Sequence, residues 1–206
     1  MLKAERFAWG VGIIALVVWI AGAGAGRFGT ARALDRFDVL RAAAQLSSEE
    51  HPDQSLWSPE RVKAWEEARK RNSPDPLGVL HIPRLKVVAP VLPGTDDWTL
   101  NRGVGHIDDT ALPGSTGNIG IAAHRDSYFR ALKDIVNGDL ITIETVRGAD
   151  TYRVERIWIV DPEDVSVIDP TEAPSVTLVT CYPFYFIGPA PRRFIVRAVR
   201  VPVSGG

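Results

Sequence analysis

From Leu77 onward, short apolar runs alternate with polar residues and are cut every few positions by glycine, proline or charged turns. That period-two pattern argues against a helical bundle and for a mainly β domain. The runs cover residues 78–83, 87–91, 119–122, 140–145, 151–160, 176–180 and 194–199. The clearest hairpin sets 140–145 against 151–160, with Arg147, Gly148, Ala149 and Asp150 as its turn. Residues 127–135 read as one short helix among the strands. Short strands together with 18 glycines and 15 prolines suggest a small closed β-barrel or a sandwich.

The N-terminal part has another character. Residues 7–26 carry no charge, a length that spans a bilayer core as a helix. Lys3 and Arg6 precede this segment, Arg27 follows it, and Trp9 suits the interfacial belt. The expectation is a membrane anchor over 1–28. The small residues from Ala21 to Gly26 keep a cleaved signal peptide open as the alternative. Arg27, Arg32, Arg36 and Arg41 outnumber Lys3 and Arg6, so a plain positive-inside count places the following domain in the cytoplasm. Residues 29–76 read as a helical stalk. Leu34, Phe37, Leu40 and Ala44 share a helical spacing, and Ser58-Pro59-Glu60 is a helix start with Ser as N-cap and Pro at the first turn. That helix is expected through Val62 and Trp65 to about Arg71, with Trp57 and Trp65 packing against the domain. Pro74 and Pro76 end it, leaving 77–203 as the β domain.

Charge narrows the function classes. With 24 Lys and Arg against 25 Asp and Glu, bulk binding to nucleic acid is not expected. The four histidines, His51, His81, His106 and His124, fall in no metal-binding spacing, so neither a metal nor a cofactor is expected. Cys181 is the single cysteine, which excludes an internal disulfide. It is a buried filler, an intermolecular bridge or a nucleophile. A nucleophilic thiol needs a base or cation nearby and donors where an oxyanion forms. His124, just after a predicted strand, and Arg193, opening the last one, are placed to supply them. Read singly, His124 is equally a structural histidine and Arg193 a solvated charge.

Several ordered motifs resemble the sortase family. Thr177-Leu178-Val179-Thr180-Cys181 matches its TLxTC signature. Leu112-Pro113-Gly114, followed by Gly117-Asn118-Ile119-Gly120-Ile121-Ala122-Ala123-His124-Arg125, resembles the segment bearing the family's histidine. Phe129, Leu132, Gly138 and Asp139 fit the next motif, Tyr152-Arg153-Val154 a further strand, and Arg193-Phe194-Ile195-Val196-Arg197-Ala198 the arginine-initiated last strand. The resemblance spans about 77–201. The CYPF stretch and the proline-rich loop beyond it look most like class D or Gram-negative-type sortases. Ala123 stands where the family usually has glycine.

The resemblance implies an eight-stranded barrel and a cysteine transpeptidase. Cys181 is then the nucleophile on an LPxTG-like sorting motif, His124 the proton carrier and Arg193 the oxyanion donor, with Thr180 and Ala123 as neighbouring substrate contacts. The implied partners are surface proteins with a C-terminal sorting motif and an amine acceptor on cell-wall peptide or protein. The loop over 163–174 is expected to help read the motif. The domain is expected outside the cytoplasmic membrane, against the arginine count, because long domains translocate largely regardless of charge. The alternatives are an anchored cysteine hydrolase of the same fold, or a non-catalytic anchored β-domain.

Overall fold

Eight strands carry the architecture: β1 (Gly78–Ile82), β2 (Val87–Pro93), β3 (Val104–His106), β4 (Asn118–Ala122), β5 (Leu140–Thr145), β6 (Gly148–Val160), β7 (Ser175–Tyr182) and β8 (Arg192–Arg200). They close in the order β1-β2-β3-β4-β7-β8-β6-β5, and β5 pairs with β1 to seal the barrel. Closure leaves no sheet edge unpaired, which settles the choice between barrel and sandwich. This computed structural model describes residues 52–70, 74–185 and 188–202. The expected membrane segment over 7–26 and the helical pattern over 33–46 lie outside the described residues. Among the described residues, no helix is long and apolar enough to cross a membrane.

Alternation along the strands sorts side chains into a core and an outer face. Ile119 and Ile121 of β4, Val176 and Leu178 of β7, and Val196 and Ala198 of β8 join Leu80, Phe129, Ile141, Ile143 and Tyr152 in one buried cluster. Full burial of a large aliphatic or aromatic side chain contributes roughly 1.5–3 kcal/mol each, so this cluster dominates the barrel's stability. The intervening residues, Thr177, Val179 and Cys181 on β7 and Arg193, Ile195 and Arg197 on β8, share the opposite face.

The hairpin differs in detail from the expectation. β6 already begins at Gly148, where it pairs with Thr145. The turn is therefore Val146 and Arg147. The Thr145 hydroxyl accepts from the Arg147 amide at 3.1 Å and donates to the Gly148 carbonyl at 3.1 Å, which tightens the loop. Gly148 supplies the positive φ of 128°. The helix expected over 127–135 is a 3-10 turn at Arg130–Asp134.

Among the described residues, two α-helices flank the strands. α1 (Pro59–Ala68) starts at the expected N-cap, where the Ser58 hydroxyl accepts from the Arg61 amide at 3.3 Å. It ends at Ala68, with Arg69 as its cap. Trp65 lies in the core cluster, and Trp57 meets Tyr128 edge-on at 4.9 Å. Tyr128 Oη donates to the Arg102 carbonyl at 2.7 Å, and Arg102 Nη1 to the Ala68 carbonyl at 3.2 Å, so α1 is docked by polar as well as apolar contacts. α2 (Asp97–Arg102), capped by Asp96, makes the crossover between the parallel pair β2 and β3. Gly105 lets β3 fit here: a Cβ would sit 2.3 Å from the Gly94 carbonyl oxygen.

Candidate active site

Strand register brings three distant positions into one row. On β7 and β8, Cys181 is directly opposite Arg193. On the other side β7 runs parallel to β4, with Ala122 beside Val179. The Ala123 amide donates to the Val179 carbonyl at 3.2 Å, extending that pairing past the end of β4. Two residues beyond Ala122 is His124; two beyond Val179 is Cys181. Thiol and guanidinium therefore sit opposite each other on two neighbouring strands, and the imidazole is on the segment that leaves the end of β4 beside them.

Each group is held differently. Cys181 is a free, half-buried thiol. Arg193 Nη1 has only long contacts, 3.2 Å to the Arg192 carbonyl and 3.4 Å to that of Ala190. No described carboxylate forms an ion pair with it. His124 is 18% exposed in its side chain, and Asp97 Oδ1 stands 4.0 Å from its Nε2. That nitrogen is buried and has no hydrogen-bond partner among the described residues. Burial, and behind it the Arg61 charge, push the His124 imidazole down to about 4; Asp126 and Asp97 act the other way. The ring is neutral at pH 7 and can accept a proton from a neighbouring thiol.

Thr180 and Ala123 are only 2% and 5% exposed. The Thr180 hydroxyl donates to the Ala123 carbonyl at 2.7 Å, so it is already engaged within the fold. The pair offers a peptide little surface; its visible effect is to clamp the His124 segment to the strand bearing Cys181. An alanine at position 123 serves because its methyl packs into the core.

Two further sets of residues shape the surroundings, and neither was singled out from the sequence. Arg125 donates to the carbonyls of Pro183 (3.1 Å) and Gly188 (2.8 Å), and Arg130 donates to that of Phe184. These cations tether the loop after Cys181, whose Tyr182 and Phe184 pack on Phe194. The second set holds the loop over 161–174. β6 ends at Val160 opposite Arg193, while β7 begins at the far end of the same sheet, so this loop must travel the length of β7. Midway, Arg197 Nη2 donates to the Val167 carbonyl at 2.5 Å, and Asn118 Nδ2 to that of Asp169 at 3.0 Å. Thr177 Oγ1 links the two, donating to Asn118 Oδ1 at 2.7 Å and accepting from Arg197 Nε at 3.1 Å. The weak clue in the sequence is a polar side chain, Thr177, inside an apolar strand.

No group of three or more His, Cys, Asp or Glu able to hold a metal is found among the described residues. A thiol flanked by an imidazole and a guanidinium has the parts of an acyl-transfer site: nucleophile, proton carrier and anion-stabilising donor.

The profile of the sortase domain matches residues 80–201, more than half of the chain. The chain belongs to the sortase family. It is similar to Sortase D of Bacillus subtilis (strain 168), with 38% identity over 125 residues, 60% of this chain and 63% of the relative. It is also similar to Sortase SrtE1 of Streptomyces coelicolor, with 36% identity over 126 residues, 52% of this chain and 36% of that one. The chain thus spans under two thirds of the length of these curated relatives. Among solved structures, the Sortase D5 transpeptidase of Clostridium perfringens superposes with a TM-score of 0.59 at 25% identity, over 81% of this chain and 98% of that one. The matched region of this sortase contains the whole row of His124, Cys181 and Arg193.

Proposed function

We propose that this sortase is a cysteine transpeptidase that cleaves an LPxTG-like sorting motif and passes the acyl group to an amine. The observation that carries the reading is the row itself: Cys181 directly opposite Arg193 on one side, and on the other the β4 register leading to His124.

The chemistry follows from the state of each group. Cys181 Sγ attacks the carbonyl carbon at the Thr–Gly-like bond of the motif, and its proton passes to the neutral His124 imidazole. The carbonyl oxygen takes up the negative charge within reach of Arg193, whose guanidinium has no competing carboxylate among the described residues. The tetrahedral adduct collapses, the carbon–nitrogen bond breaks, and His124 returns the proton to the departing amine. The resulting thioester divides one hard exchange into two easier ones. An incoming amine attacks it, loses a proton to His124, and displaces the Cys181 sulfur, which regains that proton. With its imidazole pushed down to about 4 by burial, His124 enters the reaction neutral and ready to take a proton.

In the same reading, Cys181, His124 and Arg193 act on the reacting atoms, while Thr180 and Ala123 hold the row in register. The segment over 1–28 anchors the protein, 29–76 connects it to the barrel and docks on it through α1, and 77–203 works outside the cytoplasmic membrane on surface proteins. Product analysis tests the proposal. The protein is incubated with an LPxTG-type peptide, with and without a small amine. The expected result is an amide-exchange product that depends on the amine and disappears in Cys181→Ala. Release of free acid alone, unaffected by the amine, would instead identify a hydrolase.

A further inference from the structure

The backbone over 183–191 joins the thiol strand to the arginine strand, and the pairing of Tyr182 with Arg192 closes it at its base. Its outgoing limb starts at Pro183; its return limb runs from Gly188 to Pro191. Pro189 and Pro191 on the return limb have no amide hydrogen to bond with. The contacts that orient the Arg193 guanidinium belong to this limb and its end. Nη1 donates to the Ala190 carbonyl at 3.4 Å and to the Arg192 carbonyl at 3.2 Å. Strand pairing fixes the backbone of Arg193 opposite Cys181, but the direction of its guanidinium depends on where the return limb runs.

The side chain that holds the return limb comes from the neighbour of His124. Arg125 leaves a fixed segment: Ala123 is bonded to Val179 and Thr180, and the Ser127 amide donates to the His124 carbonyl at 3.3 Å. Its guanidinium forks, Nη1 to the Pro183 carbonyl at 3.1 Å and Nη2 to the Gly188 carbonyl at 2.8 Å. One acceptor lies on each limb, so a single side chain ties both limbs to the histidine segment. Arg130 grips the outgoing limb, through the Phe184 carbonyl and by lying 4.2 Å over the Tyr185 ring. Gly188 suits the fork for a backbone reason. Its φ is 102°, and a residue before proline is otherwise driven to extended backbone. Only glycine readily presents its carbonyl from that conformation.

We propose that Arg125 is a positioning residue for Arg193: forked between the Pro183 and Gly188 carbonyls, it fixes the return limb and, through the Ala190 carbonyl, aims the Arg193 guanidinium at the oxyanion. One segment then places both helpers of the thiol, His124 directly and Arg193 through this tether. The tether depends on the planar fork of arginine, which lysine lacks, and not on positive charge as such. Its catalytic meaning rests on the transpeptidase reading; the placement of Arg193 does not, and is measured separately.

The first measurement is the NMR signal of the Arg193 Nε–H in the full chain, assigned by its loss in Arg193→Ala. It is expected to shift or broaden in Arg125→Gln, and likewise in Gly188→Ala, which redirects the same carbonyl without touching Arg125. A signal unmoved in either variant overturns the inference. Should Arg125→Gln fail to fold, Gly188→Ala, in an exposed turn, decides alone. The second measurement is a double-mutant cycle on cleavage of an LPxTG-type peptide. Arg125→Gln is expected to lower kcat roughly tenfold with KM within about twofold, the pattern of a misplaced catalytic group. Arg125→Lys is expected to fall with it. In the Arg193→Ala background, Arg125→Gln is expected to cost no more than about twofold, because its target is already gone. The full loss in that background, or full activity in Arg125→Lys, overturns the inference. Absence of cleavage in the unaltered chain undoes the transpeptidase reading and leaves the Arg193 signal to decide the tether.

Discussion

The outer face shared by β4, β7 and β8 has two ends, built from similar residues and treated in opposite ways. At one end stand His124, Cys181 and Arg193; at the other stand Asn118, Thr177 and Arg197. Each end has an arginine of β8 opposite a polar residue of β7. Arg197 and its neighbours bond fully to each other and to the Val167 and Asp169 carbonyls. Arg193 has only two long contacts to its own loop, and His124 Nε2 has no partner among the described residues. An unsatisfied buried polar group costs about 1–3 kcal/mol, so folds tend to pair such groups where stability is the only demand. The far end obeys that tendency and fixes a loop. The near end does not, and its groups remain available to a ligand.

Substitutions at matched positions separate the two ends. The largest effect is expected for Cys181→Ala: complete loss of peptide cleavage, with Tm close to that of the unaltered protein, checked by product analysis and thermal melting. Next is Arg193→Ala, which is expected to lower kcat/KM by roughly 100-fold or more, the usual scale for removing an oxyanion donor, while barely changing Tm. Arg197→Ala is expected to do the reverse. Leaving Thr177 and the Val167 carbonyl without their partner should cost about 1–3 kcal/mol in denaturant unfolding, with a smaller loss of kcat than Arg193→Ala. Equal effects of the two arginine variants on both readouts would erase the distinction between the ends.

The smallest effect concerns pH. The His124 pKa is lowered from 6.5 to about 4 in the folded protein. Between those values the unfolded chain binds more protons at this site than the folded one, so stability rises with pH there and levels off above 6.5. The expected outcome is a Tm that declines as pH falls from 6.5 toward 4, with a shallower decline in His124→Gln. A slope in that window identical in the two proteins would show that His124 is not held neutral by the fold.

Much of this was legible in the sequence because local pattern and long-range placement agreed. The hairpin of β5 and β6 declares itself through alternation and turn residues, and the contexts of Cys181, His124 and Arg193 mark strand ends. Other features were hidden for physical reasons. β3 has three residues, too few to show a period, and its place depends on Gly105 approaching the Gly94 carbonyl. The start of β6 was obscured because Gly148, a turn residue by habit, here opens a strand. The inward bond of the Thr180 hydroxyl to the Ala123 carbonyl joins residues 57 apart, and nothing in the sequence around Thr180 points to it. The bond of Arg197 to Val167 spans 30 residues, and that of Arg61 to Asp126 spans 65; no local pattern announces such pairs.

In the proposed reaction, the unsatisfied end forms a covalent acyl-enzyme through Cys181. Intact-protein and peptide mass spectrometry after brief exposure to an LPxTG-type peptide tests it most directly. The expected result is an added acyl mass located on the peptide containing Cys181, discharged when an amine is supplied and absent in Cys181→Ala. An unmodified Cys181 in protein that nevertheless cleaves the peptide, or an adduct that persists in Cys181→Ala, would contradict it.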